Sequence, residues 1–359
     1  MIMSLPSLPP NPKIRLDSEI YALISEADKS LYLLEGAINV LPSDHFLVST
    51  LTILESLKSL TIDGCKQNLT DFFSRVFQED QEDSKNILSY VRALTLAQKS
   101  LRNVSSSSHI IKSIHKELAG ELSEVNLHSG DYRKTRILVG QYSSGENDAK
   151  YIPPPPEEIE RLMKDFETYI ASDLSYPFVV NAALLHAQFE MIHPFETNNG
   201  LVGRILLQLH FLWKRRLGFP ILQISHILNK RRAEYFDRLE DLEKNNTWER
   251  WVKFFLKIIV DSALHTTAII KNISTLEFND YKNILNKELA STPSLRVFEL
   301  IFQRPIISLP FITKELGLNK QTANVIITKF LEESILEETT GKQRYRIFIY
   351  KKLMDLLDG

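Results

Sequence analysis

Apolar positions in the first hundred residues recur at helical spacing. Ile20, Leu23, Ile24, Leu31 and Leu34 mark one face between Asp17 and Ala37; Pro42 and Asp44 break the pattern, and Leu47–Leu60 resumes it. The same period returns around Phe72–Phe77 and Ile87–Leu101, which predicts a helical bundle, with Ser105–Ser108 as a polar loop after it. Residues 130–151 read differently. A β-prone run, Thr135-Arg136-Ile137-Leu138-Val139, leads through a Gly/Ser/Asn/Asp cluster to Lys150-Tyr151-Ile152, the pattern of a hairpin with a long tip. Pro153–Pro156 form a stiff corner. Amphipathic helices are then predicted over 157–170, 177–192, 204–217 and 231–242, with a further helix from Trp248 to Leu276 and on to Leu289.

The last seventy residues change character. Helices are predicted over Ser294–Gln303, Pro310–Leu316 and Lys320–Glu333, with Gly317-Leu318-Asn319 as the turn between the second and third. Strand-like stretches follow at 335–337 and 344–350, with Gly341 between them. Helix, helix, turn, helix, hairpin is the order of a winged helix-turn-helix.

Composition narrows the class. At 359 residues the chain suggests two or three domains, and 43% hydrophobic with 25% charged residues is an ordinary globular balance. A net charge of −2 argues against general coating of nucleic acid. Cys65 is the single cysteine, so neither an internal disulfide nor a cysteine-built metal site can form. The N-terminus lacks an apolar stretch of signal-peptide length, and Lys257, Asp261 and His265 interrupt the apolar run Phe254–Ile270. The expected location is cytoplasmic, with no membrane span.

The candidate chemistry lies in HPFETNNGLVGR, residues 193–204. Pro194 stops the apolar helix that ends at His193. Asn198 and Asn199 are suited to capping a new helix, and Gly200 permits close approach to its backbone. A helix N-terminus offers unpaired N–H groups and partial positive charge to a phosphate, and Arg204, one turn in, can reach back to add a guanidinium. Each feature has an ordinary structural reading by itself. Together they place a histidine opposite an anion site, a layout for phosphoryl or nucleotidyl transfer.

The segment resembles the Fic-family signature His-Pro-Phe-x-[Asp/Glu]-Gly-Asn-Gly-Arg-x-x-Arg. His193, Pro194, Phe195, Asn199, Gly200 and Arg204 match it, and the flanks from Ala182 to Ile192 and at Leu206-Leu207 are similar. The resemblance implies a mainly α fold: a Fic-type helical core at 111–275 with a small β-hairpin flap, an N-terminal helical region at 1–110, and the winged helix-turn-helix at 290–359. It implies transfer of AMP from ATP to a protein Ser, Thr or Tyr hydroxyl, with His193 as general base. Asn198, Asn199, Gly200, Leu201, Gly203 and Arg204 would hold nucleotide phosphates, and Tyr235 and Phe236 would lie near the base. The run Thr135, Arg136, Ile137, Leu138, Val139 would take the target main chain by strand addition.

Three positions depart from the signature. Thr197 replaces the acid that would bind Mg²⁺, leaving Glu196 as a substitute ligand only if its side chain turns inward; Asn198 replaces a glycine, and Leu201 replaces the first arginine. Leu34-Glu35-Gly36 resembles the inhibitory motif [Ser/Thr]-x-x-x-Glu-[Gly/Asn] without its hydroxyl residue, so Glu35 is expected to pair with Arg204 and act as a brake. Self-modification and a homodimer are further expectations. The winged helix offers Lys320, Gln321, Asn324, Lys329, Lys342, Arg344 and Arg346 to DNA, against Glu332, Glu333, Glu337 and Glu338, so protein contact stays equally open. Two other readings of the chain stay open: a weakened Fic pocket that senses a nucleotide or partner, and a transcription regulator.

Overall fold

The computed structural model describes residues 5–39, 44–65, 68–78, 85–101, 107–119, 129–140, 149–172, 176–286, 290–342 and 345–358. Its elements run α1 (Ser18–Asn39), α2 (Asp44–Ile62), α3 (Leu69–Gln78), α4 (Lys85–Ser100), α5 (Ser107–Ala119), β1 (Val139–Gly140), β2 (Ala149–Tyr151), α6 (Pro156–Ala171), α7 (Phe178–Ile192) and α8 (Asn199–Trp213). They continue as α9 (Ile224–Lys230), α10 (Arg232–Asn245), α11 (Trp248–Asn286), α12 (Thr292–Gln303), β3 (Ile306–Ser308), α13 (Leu309–Leu316), α14 (Lys320–Glu332), β4 (Glu337–Glu338), β5 (Ile347–Ile349) and α15 (Lys351–Asp358). Two compact units result: one joins residues 1–35, 55–66 and 85–264, the other 36–54, 67–84 and 265–359. The N-terminal helical region is therefore shared between them.

In the first unit α7 is the central rod. Every residue from Val179 to Ile192 is buried, as expected of a helix that is apolar on all sides. Helix α8 packs on it because Gly203 carries no side chain: a Cβ there would lie 2.5 Å from Glu190 Oε1 and 3.1 Å from Phe189 Cδ1. Helix α6 opens with Pro156 in its first turn, where the missing N–H costs nothing. The start of α11 closes the unit. Trp251 Nε1 donates to the Ala183 carbonyl at 2.8 Å, and Lys253 pairs with Asp17 and Glu19 ahead of and within α1.

The second unit holds the winged helix. Its sheet is antiparallel in the order β3-β5-β4, with Ile306 opposite Ile349 and Glu337 on the other side of the same residue. Ser291, Ser308 and Asn319 cap α12, α13 and α14 by accepting backbone N–H groups, and Gly317 (φ +65°) supplies the left-handed turn between the last two. Phe298, Phe302 and Tyr350 pack together beneath, and the Tyr350 hydroxyl donates to Asp280 at 2.7 Å.

Several elements differ from expectation. Helix α5 begins at Ser107, inside the stretch read as loop, and β3 and α15 are additional. Helix α8 ends at Trp213 rather than Leu217, because Arg215 takes a left-handed conformation. Among the described residues the hairpin pairs at 139–140 and 149–151, and Thr135–Leu138 join no strand. The hairpin tip, Arg344 and the stretch up to Leu289 beyond Asn286 lie outside the described residues. Among the described residues no helix is long and apolar enough to cross a membrane.

Candidate nucleotide site

His193 closes α7 in a left-handed conformation (φ 50°), with its amide donating to the Phe189 carbonyl. Its Nδ1 lies 3.0 Å from the Glu190 carbonyl oxygen. A carbonyl only accepts, so Nδ1 carries the proton and the neutral ring presents Nε2 as a lone pair. Burial, helped by the Arg133 guanidinium, holds the ring's pKa down at about 4, which keeps it neutral at pH 7.

The loop after His193 is fixed from three directions. Asn199 folds its amide back on Phe195, accepting its N–H and donating to its C=O, both at 2.8 Å. The Phe195 ring stacks on His115 at 3.9 Å. Arg133, buried, donates to the carbonyls of His193 (2.8 Å), Thr135 (3.1 Å) and Pro154, and its own amide donates to Pro194. Tyr151 donates to the Met191 carbonyl. Arg133 and Tyr151 thus rivet the base of the hairpin to the end of α7, which sets Thr135–Val139 beside the histidine loop.

Asn198 (φ 59°) leads into α8, and the space at the helix start is occupied. Arg204 folds back over Gly200, where a Cβ would sit 2.7 Å from Nη1 and 3.2 Å from Asp63 Oδ1. A side chain at position 200 would push the Arg204 guanidinium and the Asp63 carboxylate from their present places. Arg204 is 1% exposed. Its Nε donates to Ser59 Oγ (2.6 Å), and its Nη2 donates to the Ser59 carbonyl (3.1 Å) and to Asp63 Oδ2 (2.8 Å). A carboxylate from α2's C-terminal end therefore stands where an anion was expected. Deeper in, burial raises Glu190 to about 7 against the lowering effect of Arg204, and raises Glu55 to about 8. Glu55 accepts both the amide and the hydroxyl of Ser225, seating α2 one turn before Ser59.

The sequence matches the Fic/DOC family over residues 105–211 and the Fic/DOC family N-terminal region over 21–99, with an HTH DNA binding domain at 295–348. The chain is a member of the Fic/DOC family. Protein adenylyltransferase Fic of Aedes aegypti is 27% identical over 160 residues, covering 44% of this chain and 27% of the relative. A probable protein adenylyltransferase of Aquifex aeolicus is 29% identical over 225 residues, covering 59% of each. The chain thus spans about a quarter of the insect relative's length and somewhat over half of the bacterial one's. Among solved structures, a Fic family protein from Desulfovibrio desulfuricans G20 matches with TM-score 0.57 over 94% of this chain and 97% of that one, at 18% identity. Fic-1 of C. elegans matches with TM-score 0.54 over 72% and 74%, also at 18%. These likenesses establish the fold.

The site residues expected of a Fic domain separate into groups. Arg204 and Gly200 meet at the start of α8, where Asn199 ties the loop to Phe195, and His193 is near enough to feel the Asp63 charge. Leu201 is buried and apolar, and Gly203 serves the α7–α8 contact described above. Tyr235 is buried, its hydroxyl 3.0 Å from His186 Nε2, while Phe236 is half-buried beneath the Arg232 guanidinium. The pairing of Glu35 with Arg204 is not made: Glu35 accepts the Gly218 amide at 2.9 Å, and Asp63 is the carboxylate on Arg204. The reason is legible after the fact. Ser59-Leu60-Thr61-Ile62-Asp63-Gly64 has the hydroxyl-x-x-x-acid-glycine spacing of the inhibitory motif, with aspartate for glutamate. Arg133 and Tyr151 resemble, with Gly130-Asp131-Tyr132 and Ile152, the family's approach to its target flap; that Arg133 grips the His193 carbonyl depends on the tertiary fold.

The fold family implies Mg²⁺, which the residues present do not fit. Thr197 is exposed and offers a neutral hydroxyl, and Glu196 accepts the Thr135 hydroxyl at 3.0 Å. Among the described residues no cluster of three His, Cys, Asp or Glu side chains is placed to hold an ion.

Proposed function

We propose that this chain is a self-restrained protein adenylyltransferase that moves AMP from ATP to a Ser, Thr or Tyr hydroxyl of a protein target. The observation that carries the reading is Arg204 held over the start of α8 by Ser59 and Asp63, near a histidine whose tautomer leaves Nε2 as a lone pair. Withdrawal of Asp63 would free the guanidinium and the α8 amides for the terminal phosphate of ATP. The target hydroxyl oxygen then bonds to the α-phosphorus, the bond from that phosphorus to the bridging oxygen breaks, and pyrophosphate leaves with the electron pair. The hydroxyl proton passes to Nε2 of His193. No step runs through a metal.

The stretch Arg136–Leu138 suits main-chain pairing with the target: among the described residues it joins no strand, and its Arg136 and Leu138 side chains are exposed. Self-modification would use the same stretch. The winged helix is a separate proposal: α14 exposes Lys320, Gln321 and Asn324 for duplex DNA, and a salt-dependent shift with DNA supports that use over a protein or dimer contact.

Thr197 and Leu201 favour a second reading, a pocket that binds nucleotide without transferring it. Labelled ATP separates the two. Covalent label on a target or on the chain itself, raised by Asp63→Gly and abolished by His193→Ala, supports transfer. Bound ATP without label supports sensing, and neither outcome in any variant refutes the pocket.

A further inference from the structure

The family motif grips phosphates with two arginines, and here the first is Leu201, buried at 5% exposure with no charge to give. A second guanidinium nevertheless reaches the last turn of α2, on which Arg204 rests. Arg232, the first residue of α10, donates through Nε to the Ile62 carbonyl at 3.1 Å. Arg204 donates to the carbonyl of Ser59, also at 3.1 Å. Residues 59 and 62 are three apart on one helix, so their carbonyl oxygens lie on the same side, roughly 5 Å apart along the axis. Two guanidiniums from different elements therefore close on the last turn of α2.

Taking the restraint by Asp63 as the Proposed function has it, we infer that Arg232 is a phosphate-binding residue of the released site and replaces the arginine lost at position 201. When the last turn of α2 withdraws, Arg204 and Arg232 lose their carbonyl partners together and face the same vacated space. Two adjacent cations at that separation suit neighbouring phosphates of a nucleoside di- or triphosphate. Arg232 is already positioned for this. Its guanidinium lies over the Phe236 ring, 5.1 Å from the centroid, which holds its face while leaving its edge N–H groups for hydrogen bonds. In the restrained state the same residue caps the end of α2, so one side chain serves both states.

The test is ADP and adenosine binding by calorimetry on the full chain carrying Asp63→Gly. Adding Arg232→Ala should weaken ADP at least tenfold and leave adenosine unchanged, and Arg232→Lys should recover part of the loss. In the unaltered chain, Arg232→Ala should instead leave ADP binding equal or stronger, because it loosens α2. Arg232 is exposed, so the substitution leaves the core intact, which a thermal melt checks. Equal ADP affinity for Asp63→Gly with and without Arg232→Ala overturns the inference, provided Arg204→Ala in that background abolishes binding. If Arg204→Ala also changes nothing, the pocket reading itself fails.

Discussion

Asp63→Asn removes the carboxylate charge hydrogen-bonded to Arg204 while keeping shape and a carbonyl oxygen. Breaking a fully buried ion pair costs about 3–5 kcal/mol, because the partner is left charged and unpaired. Arg204 is 1% exposed, but Asp63 is 41% exposed, so water can reach part of the gap. Ser59 also keeps its two hydrogen bonds to the guanidinium. The expected loss is therefore about 1–3 kcal/mol. For a unit of this size that is a fall in Tm of roughly 3–10 °C. The reasoning adds a second sign: the vacated guanidinium should accept a phosphate, so ATP at about a hundred times its Kd should restore roughly 2.7 kcal/mol. Differential scanning fluorimetry with and without ATP reads both effects. A variant that melts with the unaltered protein, and that ATP does not shift, refutes the account of Asp63 as Arg204's counter-charge.

Other outcomes follow from the same geometry. Gly203→Ala puts a Cβ 2.5 Å from Glu190 Oε1 and should cost about 1–3 kcal/mol in a denaturant titration through forced separation of α7 and α8. Glu55 has its pKa raised from 4.5 to about 8, so the folded state holds a proton that the unfolded state releases. Its contribution is complete below pH 4.5 and is lost as pH rises to 8, and Glu55→Gln should remove that slope when the two proteins are compared at pH 5, 7 and 8.5. With His193 held at about 4 while Asp63 raises it, the acid limb of adenylylation by an Asp63→Gly chain should fall at pH 4 or lower; a limb near 6.5 would mean the ring is not shielded as described.

The fold was largely legible because its core helices carry strong periodicity. Positions Val179 to Ile192 and the winged helix were readable from apolar spacing and from Pro, Gly and Asn at the turns. Helix α5 was not, since His109, Lys112, Ser113 and Lys116 dilute its apolar face, which is defined by burial against its neighbours. In the site, residues contiguous in sequence were found and residues brought in by the fold were not. Arg204 reaching back over Gly200 could be foreseen from a four-residue spacing. Its partner Asp63 lies 141 residues away, and only the tertiary structure tells its helix from that of Glu35. The buried state of Tyr235 likewise depends on His186, on another helix.

The restraint itself is tested most directly by titrating ATP into the unaltered chain and into Asp63→Gly under identical salt and temperature. The account predicts weak or undetectable heat for the first and at least tenfold tighter binding for the second, lost again with Arg204→Ala. Equal affinity in the two chains would contradict it.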